Sequence, residues 1–301
     1  IVISYAQKPA NSYHWKHLGP QTIAELLCDS GRWTGVGQGW IEDIIIEDDL
    51  WIAGTITGGL YRSTNNGKKW NKIDKDTLQF GTTGLLLAGD VIYRGTGLTH
   101  YDKDLGIGIL KSKDKGKTWQ ETGLKFDKNQ RNPVWDIACN ASRNVLAAGK
   151  FFKSINGGES WTDITQNLPI LAWHYITSIS SNPTNLNEVY VSLGKMDDSY
   201  LNKVYQSEDG GMTWKNVSTG IPPYETFKIE HIPNSSGVIL ASLGGLFYKN
   251  DNLDQWIRLE GKIPPIAIRD FVIDIENRKI IVSTYGNGLW QMKMPRRMLR
   301  Y

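Results

Sequence analysis

The sequence predicts an all-β chain, a single β-propeller of six four-stranded blades whose ring is closed by the N-terminal strand pairing in the last blade. Three observations carry this expectation. An eight-residue frame, Ser-x-Asp/Asn-x-Gly-x-Thr/Ser/Lys-Trp, recurs four times in 301 residues. Six tryptophans that lead matching strands, Trp15 to Trp256, lie 55, 49, 42, 53 and 42 residues apart, about 48 on average, which is the length of one four-stranded blade. Glycine supplies 31 residues, above the usual share of about 7%, as a chain with many turns requires.

The four copies of the frame place Ser63, Asn65, Gly67 and Trp70 in register with Ser112, Asp114, Gly116 and Trp119, with Ser154, Asn156, Gly158 and Trp161, and with Ser207, Asp209, Gly211 and Trp214. A fifth, eroded copy runs from Lys249 through Asp251 and Leu253 to Trp256. The frame reads as a stapled hairpin turn. The Asp or Asn side chain accepts backbone N–H groups within the turn, glycine supplies a positive φ, and the tryptophan covers the turn and packs against the next unit. The spacing lacks the ligand density of a calcium loop, so these residues are read as structural.

Each frame is preceded by a short strand, at 59–63, 108–112, 150–154, 203–207 and 245–249, and followed by a Trp-led strand. A sixth preceding strand, 288–292, has no frame after it, and Trp15-Lys-His-Leu18 has no frame before it. The two orphans complete one another and close the ring. Apolar runs then give innermost strands at 41–46, 84–88, 134–139, 176–180, 227–232 and 267–273, and second strands at 50–54, 90–95, 144–149, 187–193, 237–243 and 278–284. Closure removes the exposed sheet edges on which other chains pair.

Composition excludes several classes. Hydrophobic residues at 40% and charged residues at 22% describe a folded chain with a core. With 34 basic and 31 acidic residues and no basic run, no nucleic-acid partner is expected. No apolar run reaches 18 residues, so no membrane span is expected. Two cysteines exclude a disulfide framework, and Cys139 is read as a small buried apolar residue of an inner strand. The five histidines show no paired ligand spacing, and neither a metal nor a cofactor is expected. Residues 1–7 look like the end of a secretory signal peptide, which points to bacterial-type export and a secreted or cell-envelope location. Residues 8–295 form the propeller, and 296–301, with Arg296, Arg297 and Arg300, read as a basic C-terminal tail.

Loops leading into the innermost strands share one face with those joining second to third strands, and the frame turns sit on the other. The first face gathers Trp40, Trp135, His174, Tyr175, Phe227, Arg269 and Tyr285, with His100, Tyr101 and Asp102 on a long polar loop. Aromatics interleaved with carboxylates suit sugar rings, and the same aromatics also suit packing of the inner ring. Long loops on a rigid scaffold commonly carry function. Glu42 and Asp136, at the starts of inner strands, are the candidate catalytic acids.

The repeated frame resembles the Asp-box (BNR) repeat superfamily of sialidases, sortilin-type receptors, endo-xyloglucanases and a photosystem assembly-factor family, all β-propellers. The resemblance covers nearly the whole chain and implies fold rather than function. Sialidases carry an arginine triad whose first member lies on the first inner strand, and Trp40-Ile-Glu-Asp-Ile-Ile-Ile46 has no arginine. Arg94 and Arg269 are left as candidate contacts for an acid group. Gly37-Gln-Gly39-Trp40-Ile41 and 55–62 look like early motifs of the endo-xyloglucanases, but Ile56 stands where that family has its catalytic Asp, and that family uses two propellers. An inverting hydrolase needs two carboxylates across the sugar. The sequence therefore leads to an interaction module for an extracellular glycan or a protein segment, within a larger envelope assembly. The alternative is a carbohydrate-active enzyme, a glycoside hydrolase or polysaccharide lyase, that uses channel-mouth carboxylates. The sortilin-type resemblance implies a peptide in the channel as one form of the partner.

Overall fold

A computed structural model describes residues 16–19, 41–55, 59–73, 81–97, 106–127, 134–139, 145–147, 150–168, 175–185, 187–194, 202–259, 267–284 and 289–299. The chain is a β-propeller. After β1 (Lys16–Gly19), the first sheet holds β2 (Ile41–Glu47), β3 (Leu50–Thr55), β4 (Gly59–Ser63) and β5 (Asn71–Lys72). The second holds β6 (Thr82–Ala88), β7 (Val91–Thr96), β8 (Gly108–Ser112) and β9 (Gln120–Lys125), and the third β10 (Ile137–Cys139), β11 (Val145–Ala147), β12 (Phe152–Ser154) and β13 (Thr162–Asp163). The fourth holds β14 (Tyr175–Ser181), β15 (Val189–Gly194), β16 (Val204–Ser207) and β17 (Lys215–Asn216). The fifth holds β18 (Thr226–His231), β19 (Val238–Ser242), β20 (Gly245–Lys249) and β21 (Ile257–Arg258). In the last, β22 (Ile268–Asp274), β23 (Lys279–Thr284) and β24 (Leu289–Lys293) are joined by β1. Lys16 faces Gln291 and His17 faces Trp290, so the first and last described strands share one sheet.

Burial runs outward along each sheet. The second strands β3, β15 and β19 are buried at every position, because both faces of the sheet meet a neighbour. Their Val, Ile, Leu and Tyr runs are the sequence consequence of that two-sided burial. The outermost strands β5, β13 and β17 are exposed. Apolar clusters lie between consecutive sheets. Ile45, Ile52 and Leu60 meet Leu85 and Ile92 between the first and second sheets. Phe271, Ile280 and Val282 meet Ile239 and Ala241 between the sixth and fifth. Ile44, Trp51 and Ala53 of the first sheet pack on Ile281 and Leu289 of the last, so the order of contacts is cyclic.

The four frame turns share one set of hydrogen bonds. Ser112 Oγ donates to Asp114 Oδ1 at 2.8 Å and accepts Gly116 N–H at 2.9 Å, while Asp114 Oδ1 accepts Thr118 N–H at 2.8 Å. Ser63, Ser154 and Ser207 make the same pair of bonds at 2.8–3.0 Å. Gly67, Gly116, Gly158 and Gly211 have φ of +75°, +83°, +83° and +96°. A side chain at Gly211 would lie 3.3 Å from the Phe151 ring and 3.6 Å from Trp214, so the tryptophan covers the turn against the preceding unit. In the eroded copy Lys249 takes the serine position and its ammonium donates to Leu253 O at 2.5 Å.

Within the 296–301 segment, read from sequence as a basic tail, Arg296–Leu299 form a 3-10 turn and Met298 is buried at 1% exposure beside Met292 and Met294. The methionine side chain between the arginines anchors the segment to the last sheet interface, a contact that charge counting does not reveal. Among the described residues no helix is long and apolar enough to cross a membrane.

Candidate functional site

Five inner strands carry the same irregularity. The pairing with the second strand slips by one residue between Ile41 and Asp43, Thr82 and Gly84, Ile176 and Ser178, Thr226 and Lys228, and Ile268 and Asp270. Such a bulge leaves one residue unpaired and re-aims its side chain. The bulged residues Thr83, Thr177, Phe227 and Arg269, with Trp135 of the third sheet, line a depression at the channel mouth. Asp43, Asp136, Glu225, Lys228 and Asp270 complete the lining. The cavity is about 60 Å³. That is room for a few waters.

Beneath the rim, side chains of the inner strands latch neighbouring sheets. Asp43 accepts Ile44 N–H at 2.7 Å and reaches the next sheet to accept Leu85 N–H at 2.5 Å. Asp136 repeats this two sheets on. It accepts Ile137 N–H at 2.7 Å, Ile179 N–H at 3.0 Å and the Ser178 hydroxyl at 2.5 Å. Ser178 Oγ in turn accepts Ile229 N–H of the fifth sheet at 3.0 Å.

In the fifth sheet the latch position holds Lys228. Its Nζ lies 2.6 Å from Asp270, 3.4 Å from Asp43 and 3.8 Å from Glu230. Burial opposes the charge on Lys228, but Asp270, Asp43, Glu230 and Asp136 together hold its ammonium well above the usual lysine range. One ammonium among four acids leaves carboxylates in excess. Burial, aided by the Asp43 charge, pushes Asp136 up to about 6 despite Lys228 and the Ser178 hydroxyl. Burial raises Asp270 well above the usual range and Glu230 to about 7. Solvent screening weakens the effect most at Glu230, whose side chain keeps 36% of its surface.

On the rim, the Arg269 guanidinium stacks 4.5 Å over the Phe227 ring. This is a cation–π contact that presents a flat cationic surface beside Trp135 and Glu225. The mouth thus offers two aromatic side chains, a fixed guanidinium, and a buried carboxyl group held largely protonated below pH 6.

Of the residues singled out from sequence, Trp135, Asp136, Phe227 and Arg269 come together at this mouth. Trp40, His100, Tyr101, Asp102, His174 and Tyr285, and the side chains of Glu42 and Tyr175, lie outside the described residues. Arg94 is corrected: it is fully buried with its guanidinium 5.9 Å from the Trp119 ring, inside a sheet interface and away from the mouth. Sequence reasoning missed Asp43, Lys228 and Asp270. Their signal was present, since Glu42-Asp43-Ile44, Trp135-Asp136-Ile137, Phe227-Lys228-Ile229 and Arg269-Asp270-Phe271 align in register. Among the described residues no group of three or more His, Cys, Asp or Glu side chains is placed to hold a metal ion.

No family model matches the chain. It is 24% identical over 320 residues to the xyloglucanase Xgh74A of Acetivibrio thermocellus, an alignment that covers 85% of this chain and 36% of that relative. The chain thus spans about a third of that relative's length. The GH74 xyloglucanase structure from Xanthomonas campestris superposes with a TM-score of 0.60 at 15% identity, covering 92% of this chain and 46% of that one. The structure of YCF48 bound to D1 peptide superposes with a TM-score of 0.52 at 13% identity, covering 95% and 85%. These structural likenesses are those of a shared β-propeller fold.

Proposed function

We propose that the chain is a carbohydrate-active propeller of the glycoside hydrolase type, secreted or held at the cell envelope, that engages an extracellular glucan of the xyloglucan class across its channel mouth. The observation that carries this reading is the similarity to a xyloglucanase along 85% of the chain. It is supported by the convergence of Trp135, Phe227, Arg269 and the buried Asp136 on one depression. The reading takes the six sheets as six blades of one ring and the four stapled turns as Asp boxes of the opposite face. In it, Trp40, His100, Tyr101, Asp102, His174, Tyr175 and Tyr285 extend the binding face. Hydrolysis needs one protonated and one ionised carboxyl group. Asp136, raised to about 6, suits the protonated partner, and Glu42 is the second acid.

A second reading, a non-catalytic module for a glycan or a peptide, rests on a specific observation. Both Asp136 oxygens accept latch hydrogen bonds, which opposes free proton donation. Ile56 in place of the family's acid points the same way.

Incubation with soluble xyloglucan and a panel of other glucans, reading product release and retention on the polymer, separates the two. Oligosaccharide release that is lost in Glu42→Gln, with the melting temperature unchanged, supports the hydrolase. Retention without products supports the binding module. Neither signal, together with capture of an envelope polypeptide, rejects the carbohydrate reading.

A further inference from the structure

Two large side chains stay exposed on the mouth side of the fifth sheet. Tyr224 is 47% exposed and Leu243 is 50% exposed. Tyr224 directly precedes Glu225 of the rim, and Leu243 lies in the turn between β19 and β20. The two segments are tied together, since Leu243 N–H donates to Glu225 O at 2.9 Å. Tyr224 is not a loose side chain. A Cβ built on Gly244 would lie 2.6 Å from Tyr224 Cδ2 and 3.2 Å from Cε2, so the ring rests on the bare glycine backbone. That glycine is itself fixed by its N–H bond to Ser242 Oγ at 2.9 Å. Pro222 and Pro223 stiffen the approach, and Tyr224 N–H closes a tight turn onto Pro222 O at 2.7 Å. The result is a rigid exposed ring with a polar tip, within about 10 Å of Phe227 along the chain.

We propose that Tyr224, flanked by Leu243 and seated on Gly244, is a distal sugar-binding platform on which a polysaccharide chain continues after crossing the channel mouth. The inference rests on the carbohydrate reading above and adds a subsite to it. Two observations choose a sugar as the occupant. The described depression holds only a few waters, so a polymer engaging this face makes its contact over the rim. Among the described residues the platform is two side chains wide, far below the roughly 1,000 Å² that a specific protein interface buries. An amphipathic ring with an apolar body and a polar tip matches the mixed CH and hydroxyl surface of a pyranose.

The test is affinity electrophoresis in soluble xyloglucan, paired with titration of a single-repeat xyloglucan oligosaccharide, on wild type, Tyr224→Ala, Tyr224→Phe, Gly244→Ala and Trp135→Ala. Tyr224→Ala is expected to weaken the polymer about five- to tenfold, to leave the oligosaccharide within twofold, and to leave melting unchanged. Tyr224→Phe restores most of the loss. Gly244→Ala keeps the tyrosine but displaces its ring, and weakens polymer binding in the same direction. Unchanged polymer affinity in Tyr224→Ala, with Trp135→Ala losing it, overturns the platform and leaves the mouth. Equal weakening of polymer and oligosaccharide overturns the distal placement. A wild-type protein that retains no glucan overturns the platform and the carbohydrate reading together.

Discussion

Asp114 and Asp136 are the same residue type under opposite fields. Asp114 lies in an exposed turn, where the Thr118 hydroxyl and amide and the Ser112 hydroxyl hold its carboxyl down at about 2. Asp209 repeats this with Thr213 and Ser207. Asp136 sits at the channel mouth, also receives three hydrogen bonds, and is nevertheless pushed up to about 6. The difference is solvent and company. The turn acids keep water and have no acidic neighbour in the hydrogen-bonded set, whereas the mouth acids are buried together and share one ammonium. The turns are built for geometry, and the mouth holds protons in the range where acid–base chemistry operates.

The largest effect expected from breaking this arrangement is at Lys228. Lys228→Met leaves Asp270, fully buried, facing Asp43 without the cation between them. Breaking a buried pair by removing one partner costs about 3–5 kcal/mol. Thermal melting should show that loss at pH 8 and a partial recovery near pH 5, as the carboxylates protonate. Next comes Asp136→Asn. The amide keeps one acceptor but turns a donor toward Ile179 N–H, at a cost of about 1–3 kcal/mol. Chemical denaturation of this variant therefore has to accompany any activity loss assigned to it. Ser112→Ala or Ser207→Ala removes the acceptor of a buried glycine N–H and should cost about 1–2 kcal/mol, read in the same way.

The two sets of acids also give opposite slopes against pH. Asp136 and Glu230 have folded pKa values above their unfolded ones, 6 against 3.8 and 7 against 4.5. Their folded forms bind more protons, so stability falls as pH rises from about 4 to 7. Asp114 and Asp209 have folded values near 2 against 3.8, so their contribution is present above 3.8 and is lost as pH falls toward 2. A melting profile should therefore peak near pH 4–5. A monotonic rise from pH 4 to pH 8 contradicts the assignment of the mouth acids. The smallest effect is at Lys115, a non-glycine residue at φ 59° before the turn glycine. Lys115→Gly relieves a left-handed conformation that costs roughly 1–2 kcal/mol, but the added freedom of the unfolded chain offsets about 0.4–1 kcal/mol of that, so the melting temperature should rise by only about a degree.

The same comparison explains what the sequence disclosed. The turns were legible because each is a local motif: Ser, Asp or Asn, and Gly at fixed offsets make all their bonds within eight residues. The second strands were legible because two-sided burial imposes apolar runs such as Val189-Tyr190-Val191 and Val238-Ile239-Leu240. The mouth was legible only in part. Trp135 and Asp136 were found because they open an inner strand. The bulges that aim Thr83, Thr177, Phe227 and Arg269 inward depend on pairing register, which no single strand reveals. Lys228 needed partners 185 and 42 residues away to become an ion-pair hub. Arg94 misled because period-two alternation cannot say whether a face meets the channel or a neighbouring sheet. Met298 was hidden among arginines, where charge outweighed a single apolar anchor.

The most direct test of the account is hydrogen exchange of the intact chain with and without a xyloglucan oligosaccharide. Added protection is expected on the segments that carry Trp135, Phe227 and Arg269, with the turns at Asp114 and Asp209 unchanged. Protection confined to the turns, or none at saturating oligosaccharide, contradicts a glycan site at the channel mouth.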